Sequence, residues 1–445
     1  MERNKRYTRR GFLKKATGAA VGAMGFPYIV SSSALGKASS VAASERITVG
    51  CVGVGPRGTA VMRNFLAQKD ACVAAVCDVK QLAYENARSL VNKHYQNNDC
   101  AIYKDFREII SRDDIDVVLV ATTDHWHVLV SLAAARTGKD IYLEKPMGLS
   151  LAEDQALREA CHRYGTVFQF GTQQRSDRNF RFACELALNG RIGKLHTINV
   201  WSPSSASGGP PEPVPVPDGL DYDMWLGPAP YTPYTKDRCS NKYWWFISDY
   251  ALGFIADWGI HPLDIAVWGG GQKLICPVEI QGKGVWPDPE GVCDTATNWN
   301  VVLKYDSGVT MNFTGNPFPE AWKKRYGRTT SHGTAFEGSE GWVHVDRSGI
   351  NAHPKEMLAT QFGPNEIHLC ESNNHVRNML DCVKTRAETI CPIDESVQAD
   401  TICQISDIAI RLEQKLRWDP EKEHFVNNET ANRRLTRSMR SPWRL

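Results

Sequence analysis

The sequence predicts a doubly wound α/β domain on a parallel sheet, followed by an α+β domain on a large, open and mostly antiparallel sheet. Two observations predict the first domain: short apolar runs alternate with helical patterns, and a glycine-rich turn follows the first run. Continuous apolar runs are typical of parallel strands covered by helices on both faces. The second domain is predicted because later runs alternate polar and apolar residues, the pattern of half-exposed strands.

The predicted first domain spans residues 45–168. Four apolar runs are predicted as strands: ITVGCVGVG, ACVAAVCDV, IDVVLVATT and DIYLEKP. A helical pattern follows each run, and the segment TVFQFGTQQR comes after the last helix. This alternation indicates βαβ units and hence a parallel sheet. The helices are expected at Thr59–Gln68, Lys80–His94, DHWHVLVSLAAARTG and LAEDQALREACHRYG.

The predicted second domain spans residues 169–416. Its strands are expected at KLHTINVWSP, VEIQGKGVW, TNWNVVLKYDSGVTMNFTG and TAFEGSEGWVHVDRS. The DSG between two alternating runs predicts a hairpin. Helices are expected at Asn373–Thr385 and Val397–Leu416, where they can pack back on the first domain. The charged segment 417–445 is expected to run over the surface.

Composition excludes several classes of protein. Lysine and arginine number 52 and aspartate and glutamate 50, so the net charge of +2 gives no broad basic field for a nucleic acid partner. The 13 cysteines include no CxxC pair, which argues against a zinc ribbon and against a disulfide framework. With 42% hydrophobic and 23% charged residues, the chain has the composition of a soluble globular protein.

Residues 1–44 are predicted to be an export signal and linker. Basic residues crowd the start, an apolar stretch covers residues 16–30, and a segment rich in serine and alanine leads to the first strand. The paired Arg9 and Arg10, followed by Phe12 and Leu13, resemble a twin-arginine signal. That route carries folded proteins, so we expect a tightly bound cofactor, the twin-arginine machinery as a partner and a periplasmic location. A basic tail with a short interfacial helix is the alternative.

The motif GVGPRG predicts a dinucleotide site of the Rossmann type. It joins the first strand to a helix, where backbone amides bind a diphosphate and glycine permits close approach. An acid follows at the end of the second strand, where it suits the ribose hydroxyls of NAD and would repel the 2′-phosphate of NADP. NAD is therefore predicted rather than NADP. The residues are Gly53, Gly55, Gly58 and Asp78, with Arg57 either at a phosphate or in solvent.

The motif ATTDHWHV follows the third strand, at the sheet edge where ligands bind in open α/β folds. Thr122 and His127 are expected at the cofactor, and Asp124 as the cap of the next helix. His125 and His127 could both be metal ligands, but the sequence offers no evident further ligands to complete a metal site. No metal site is therefore predicted.

Two later motifs carry acid–base groups. LEKPM ends the fourth strand, so Lys145 is expected to point into the same crevice. In ADWGIHPLDIAVW, Asp257 and His261 would share one face of a helix, which is the arrangement that a proton-transfer pair needs. Asp264, three residues further on, is predicted to contact the substrate, and a buried structural histidine or a metal site are the alternatives.

These motifs, in this order, resemble those of the Gfo/Idh/MocA family of nicotinamide-dependent oxidoreductases, over Arg46–Leu416. The resemblance implies a Rossmann domain and a C-terminal domain whose sheet lines the substrate site and often an oligomer interface. A homo-oligomer is therefore expected. It further implies that Lys145 touches both nicotinamide ribose and substrate, that His261 is the acid/base and that Asp257 lies beside it. Cofactor contacts are implied at Thr122, His127, Glu144 and Gln173.

The aromatic residues Tyr243 and Trp244 are not a hallmark of that family. Before the predicted catalytic helix they would suit the apolar face of a sugar ring, and core packing fits them equally well.

The expected function is the NAD-dependent oxidation of a hydroxyl of a small-molecule sugar or glycoside. The alternative is a glycoside hydrolase that oxidises its substrate, releases the aglycone and reduces the product back. DWGIHPLD lacks the histidine-bearing signature of the N-acetylgalactosaminidase members, which favours the oxidoreductase. A sugar-binding scaffold without turnover is a third possibility, against which Lys145, Asp257 and His261 argue.

Overall fold

The structure, a computed structural model, describes residues 41–42, 45–274, 277–327 and 330–445. Within this range Ile47–Leu445 form one compact unit. The predicted export signal lies outside the described residues, apart from positions 41 and 42 of its linker. None of the described helices is both long and apolar enough to cross a membrane.

The first sheet has six strands, all parallel, in the order β3-β2-β1-β4-β5-β6. The predicted doubly wound parallel sheet is thereby confirmed. The third strand has only three residues, too few for an apolar run to stand out, and the sequence did not predict it. The strands are β1 Ile47–Val52, β2 Ala71–Cys77, β3 Ala101–Tyr103, β4 Val117–Val120, β5 Asp140–Leu143 and β6 Phe168–Phe170.

Helices connect these strands. The first begins at Pro56, earlier than the predicted Thr59, because proline at the start of a helix has its φ already set and loses no hydrogen bond. A five-residue helix after β3 was not predicted, since it is too short to show a helical period. The helices are α1 Pro56–Leu66, α2 Gln81–Tyr95, α3 Phe106–Ile110, α4 Asp124–Arg136 and α5 Leu151–Tyr164.

The second sheet has nine strands in the order β13-β12-β11-β7-β10-β9-β8-β14-β15. All neighbours are antiparallel except β7 and β10, so the predicted mostly antiparallel sheet is confirmed. The predicted DSG hairpin joins β9 to β10. The strands are β7 Leu195–Ser202, β8 Pro277–Val285, β9 Asn298–Tyr305, β10 Thr310–Gly315, β11 Gly333–Gly338, β12 Trp342–Asp346, β13 Gly349–His353, β14 Leu416–Asp419 and β15 His424–Phe425.

The charged segment 417–445 does more than cover the surface. Its strand β14 pairs with β8 and extends the second sheet. Two helices precede this segment. The long helix Ile393–Leu412 packs on the second sheet and on α5, and the helix His375–Thr385 packs under the first sheet through Met379 and Leu380. The remaining helices are α6 Arg178–Leu188, α7 Tyr222–Leu226, α8 Phe254–Asp257, α9 Ile260–Gly270 and α10 Glu320–Tyr326, followed by α11 His375–Thr385, α12 Ile393–Leu412 and α13 Glu429–Asn432.

Candidate active site

The glycine loop between β1 and α1 needs its glycines for three different reasons. Gly53 has φ +80°, and a side chain there would lie 2.5 Å from the backbone of Ala121. A Cβ on Gly58 would lie 1.9 Å from the carbonyl oxygen of Gly53. A Cβ on Gly55 would meet no atom within 4 Å. Gly53 and Gly58 therefore hold the turn together, while Gly55 leaves the loop open to a ligand.

Gly58→Ala and Gly55→Ala should consequently fail in different ways. Gly58→Ala forces the turn apart and is expected to lower the free energy of unfolding by about 1–3 kcal/mol. Gly55→Ala is expected to leave the melting temperature of the ligand-free protein unchanged but to weaken dinucleotide binding about tenfold, because its methyl group occupies the approach to the diphosphate. Thermal unfolding and NAD titration measure the two effects. Equal melting temperatures for the two variants would contradict this division of roles.

The loop opens into a cleft at the carboxyl edge of the first sheet. Its polar side includes Arg57, Asp78 and Thr122, all three of them predicted at the cofactor. Both Asp78 oxygens accept backbone N–H groups, from Val54 and Lys80 at 2.9 Å each, so the carboxyl group is fixed at the end of β2. Burial raises the pKa of Asp78 above its usual range.

The opposite side of the cleft is apolar and suits a flat ring. Its walls include Phe106, Trp126, Trp225 and Trp244. Trp126 is backed in turn by Trp443, with ring centres 4.6 Å apart and the rings edge to face. A residue near the end of the described chain thus supports the wall of the cleft.

This placement revises the prediction that Trp244 and Tyr243 stack on the substrate. Trp244 lines the dinucleotide cleft and belongs to an apolar cluster with Tyr222 and Trp225. Tyr243 stands beside Gly209, under the Lys242 ammonium group. Aromatic packing decides both positions, and neither residue is brought to Lys145 or His261 in the described contacts.

The motif after β4 has a different local structure from the predicted one. The N-cap of α4 is Thr123, and Asp124 is the first helical residue, with its carboxyl group buried. His127 is also buried, and its ring nitrogens lie 2.6 Å from the Pro146 carbonyl oxygen and 3.2 Å from that of Thr122. Burial lowers the pKa of His127 to about 4, so its ring is neutral. His127 therefore braces the turn after Lys145 instead of lining the cleft.

The residues Glu144 and Lys145 join the two domains. Glu144 Oε1 accepts hydrogen bonds from Arg57 of the glycine loop and from Gln173, both at 2.9 Å. Its second oxygen is buried and meets no donor among the described residues, which leaves it available to a ligand hydroxyl or amide. The predicted cofactor residues Arg57, Glu144 and Gln173 are thus brought together.

Lys145 points the other way, toward the second domain. Its Nζ donates to Asp257 Oδ1 at 3.0 Å and to the Asp257 carbonyl oxygen at 2.8 Å. The lysine side chain is 17% exposed and the aspartate 2%, so the ion pair is largely shielded from water. The attraction between opposite charges is stronger in such a shielded position than in bulk water.

Asp257 does not share a helix face with His261, contrary to the prediction. α8 ends at Asp257, and α9 begins only at Ile260. Pro262 lies in the first turn of α9, where its missing N–H is tolerated, and it could not have continued a helix from α8. Because of this break, Asp257 faces Lys145 rather than the imidazole.

His261 lies among aromatic and cationic groups. Its ring centre is 5.7 Å from that of Trp258, which also packs on His332 and carries the Arg347 guanidinium at 4.9 Å. The Gln174 amide, with its oxygen toward Arg347 Nε and its nitrogen toward the His261 carbonyl oxygen, is 3.1 Å from each. His261 Nδ1 is buried without a partner among the described residues. Burial first, and then the positive charges of Lys145 and Arg347, hold the pKa of His261 well below its usual range.

Asp264, predicted to contact substrate, is part of the core. Its two oxygens accept from Arg175 at 2.6 and 2.9 Å, and both side chains are 1% exposed. Arg175 also bonds Glu395 and lies over the ring of Trp268. The pair fastens α9 to the segment after β6, and no face of Asp264 is left for a substrate.

The sequence did not single out the groups that surround His261. Gln174 is next to the predicted Gln173, but His332 and Arg347 come from the distant segments around β11 and β12, and no local pattern marks them.

Comparisons with known proteins agree with this architecture. Residues 47–172 match the Gfo/Idh/MocA model described as an oxidoreductase family, NAD-binding Rossmann fold. Residues 200–445 match the companion model described as an oxidoreductase family, C-terminal alpha/beta domain. The chain is 20% identical to the solved aldose-aldose oxidoreductase of Caulobacter crescentus, with a TM-score of 0.59 over 84% of this chain and 99% of that one. At that identity the likeness concerns the fold.

Two curated relatives are named for enzyme activities, one as a dehydrogenase and the other as a glycosyl hydrolase. The myo-inositol 2-dehydrogenase of Thermotoga maritima is 30% identical over 266 residues, 59% of this chain and 66% of that enzyme. A glycosyl hydrolase family 109 protein of Saccharopolyspora erythraea is 35% identical over 119 residues, 25% of each chain. The chain thus matches about two thirds of the first relative's length and a quarter of the second's.

Proposed function

The chain belongs to the Gfo/Idh/MocA oxidoreductase family, and from that membership we propose that it oxidises a CH–OH group of a sugar or glycoside with NAD. One observation carries the proposal. Glu144 and Lys145 are consecutive, yet the first is bonded to the glycine loop and the second to Asp257 of the other domain. A substrate carbon between the domains would therefore meet both the cofactor end of the cleft and the ammonium group.

The cleft fits a dinucleotide on independent grounds. Gly55 leaves space for a diphosphate, Asp78 stands where a ribose binds, and the aromatic wall suits an adenine ring. Glu144, which is bonded to Arg57 of the glycine loop, has a buried second oxygen without a donor among the described residues. When bound, NAD supplies the acceptor for the hydride of the substrate carbon.

The protein's own groups handle the proton and the charge. His261 is held as a neutral imidazole with a free buried nitrogen, so it can accept the hydroxyl proton. Lys145, kept in place by Asp257, directs its positive charge at the oxygen on which negative charge develops. The shielding of both groups from bulk water strengthens this stabilisation.

The decisive experiment uses the purified protein. Denaturation should release a nicotinamide cofactor, and sugars added to the native protein should raise absorbance at the NADH band. Absorbance that stays high until a second compound is added indicates a two-substrate sugar oxidoreductase. A protein without nicotinamide, and without a response to a broad panel of sugars after loading with NAD, would contradict the proposal.

A redox-assisted glycoside hydrolase is the second candidate. It is favoured by the similarity to a glycosyl hydrolase family 109 protein over a quarter of the chain. In that case a glycoside should release its aglycone while the NADH absorbance rises only transiently. Aglycone release without accumulated NADH therefore distinguishes the two candidates.

Oxidation should be insensitive to pH in the range where an ordinary histidine titrates. The pKa of His261 lies well below 6.5, and a base works in its deprotonated form, so kcat/KM should fall only as pH drops below that lowered pKa. Arg347→Gln removes a positive neighbour and should move this acid limb to higher pH. A wild-type limb centred near 6.5, unmoved in the variant, would contradict the assignment of His261 as the base.

We further propose that the protein is exported by the twin-arginine route to the periplasm with NAD tightly bound, and that it is a homo-oligomer. The paired Arg9 and Arg10 support export. Exposed Val285, Trp286 and Val302 on or next to β8 and β9 support association through the second sheet. Cell fractionation of an Arg9→Lys, Arg10→Lys variant and light scattering of the purified protein test the two points.

A further inference from the structure

Behind Lys145 lie two carboxyl groups in contact with each other. The carboxyl group of Asp257, which binds Lys145, also lies within hydrogen-bonding reach of the carboxyl group of Asp124 at the start of α4. Both side chains are almost fully buried: Asp124 is 1% exposed and Asp257 is 2% exposed. Each has an Oδ2 atom that meets no hydrogen-bond donor among the described residues. Two buried carboxylates in contact, with unsatisfied oxygens, would be an unfavourable arrangement.

A single proton removes this difficulty. A protonated carboxyl group is a donor, so one acid in the pair can donate to the other. Lys145 is bound to Asp257, which favours the charge on Asp257 and leaves the proton to Asp124. The pair then carries one negative charge, which matches the single positive charge of Lys145.

We propose that Asp124 is a positioning residue for the proposed oxidation: a neutral carboxylic acid that donates a hydrogen bond to Asp257 and so holds that carboxylate against Lys145. Asp124 touches neither the substrate nor the cofactor in this role. It acts through Asp257, and it limits the negative charge behind the ammonium group to one unit.

The surroundings of Asp124 favour the neutral form. The charged and titratable groups that face it are Lys145, Asp257 and, from α12, Asp400. Burial and then the charge of Asp257 raise the pKa of Asp124 well above its usual range, while Lys145 opposes them. Asp400 is itself paired with Asp154, and Gln404 donates to both, so this second pair offers Asp124 no donor.

Ionisation of Asp124 would have a definite consequence. Two carboxylates behind Lys145 would outweigh its single positive charge and give the three groups a net negative charge, so the rate should fall as pH rises through the raised pKa of Asp124. Asparagine imitates the neutral acid, because it has a similar shape, donates a hydrogen bond and does not ionise. Alanine removes the donor and leaves the Asp257 oxygen unsatisfied.

The test compares Asp124→Asn and Asp124→Ala in the NAD-loaded protein, with melting temperature and nicotinamide content as checks on folding. Asp124→Asn should keep kcat within about threefold of wild type near pH 7 and should lose the alkaline decline. Asp124→Ala should lower kcat about 10- to 100-fold, the cost of a hydrogen bond to a charged group. Asp154→Asn, in the neighbouring pair, is the matched control and should keep the wild-type pH profile.

A second measurement does not depend on catalysis. The infrared spectrum of the wild-type protein near pH 7 should contain a protonated-carboxyl band that is missing in Asp124→Asn. Absence of that difference overturns the inference even if the proposed function holds. An Asp124→Asn variant as slow as Asp124→Ala, or one with an unchanged alkaline decline, overturns it as well. If no sugar reduces the bound nicotinamide, the proposed function fails and the infrared result alone decides.

Discussion

Lys145→Ala is expected to lower kcat for sugar oxidation about a thousandfold while NAD remains bound. The proposed dinucleotide contacts are the glycine loop, Asp78 and the aromatic wall of the cleft, and Lys145 does not line that cleft. The substrate oxygen, in contrast, loses the ammonium group directed at it, and Asp257 is left buried without its cation. Single-turnover reduction of the bound nicotinamide, recorded by NADH absorbance, measures the loss.

Lys139→Ala is the matched control. Lys139 is also a buried lysine whose Nζ bonds backbone carbonyl oxygens, those of Arg112 and Ile115, but it lies at the opposite edge of the first sheet, before β5. Its removal should lower the melting temperature and leave the rate per folded, NAD-loaded molecule unchanged. Lys145→Ala with wild-type turnover would refute the role given to Lys145.

Asp264→Asn is expected to be the most destabilising of these substitutions, at about 3–5 kcal/mol in the free energy of unfolding. It leaves Arg175 buried with its two short bonds to Asp264 weakened, and only the half-exposed Glu395 remains as a charged partner. Denaturant unfolding measures the change. KM for the sugar should not move at temperatures where the variant is folded, because both Asp264 oxygens are bonded to Arg175 in the core.

The exposed pair of Glu159 and Arg163 provides the comparison. Both side chains are more than half exposed, and such pairs contribute at most about 1 kcal/mol. Glu159→Gln should therefore unfold almost as wild type does. A selective rise in KM for Asp264→Asn, with little loss of stability, would restore Asp264 to the substrate site.

The parts of the fold that the sequence predicted are those with a local cause. The glycine turn, the apolar strands and the DSG hairpin are each specified by neighbouring residues, and all are present. The three-residue β3 and five-residue α3 have no period long enough to detect. Asp257 and His261 were placed on one helix because their spacing fits one, and Pro262 in the first turn of α9 explains why the helix is broken.

The candidate site was predictable only where its residues follow strand ends. Arg57, Glu144 and Gln173 meet because parallel strands bring their carboxyl ends to one edge. Arg347 is linked to His261 through the Gln174 amide, and this arrangement depends on the packing of the second sheet against α9, between residues far apart in the chain. Trp244 was misplaced for the same reason, since its partners Tyr222 and Trp225 belong to another segment.

The support that Trp443 gives to Trp126 has a consequence for biosynthesis. The glycine loop leaves the ribosome early, but the wall of its cleft is not complete until residue 443 has emerged. A nascent first domain therefore has a diphosphate loop without a finished seat for the base. We expect firm retention of the dinucleotide to begin only after the segment that carries Trp443 has been synthesised and has packed against Trp126, so that cofactor occupancy can report the folding of that segment.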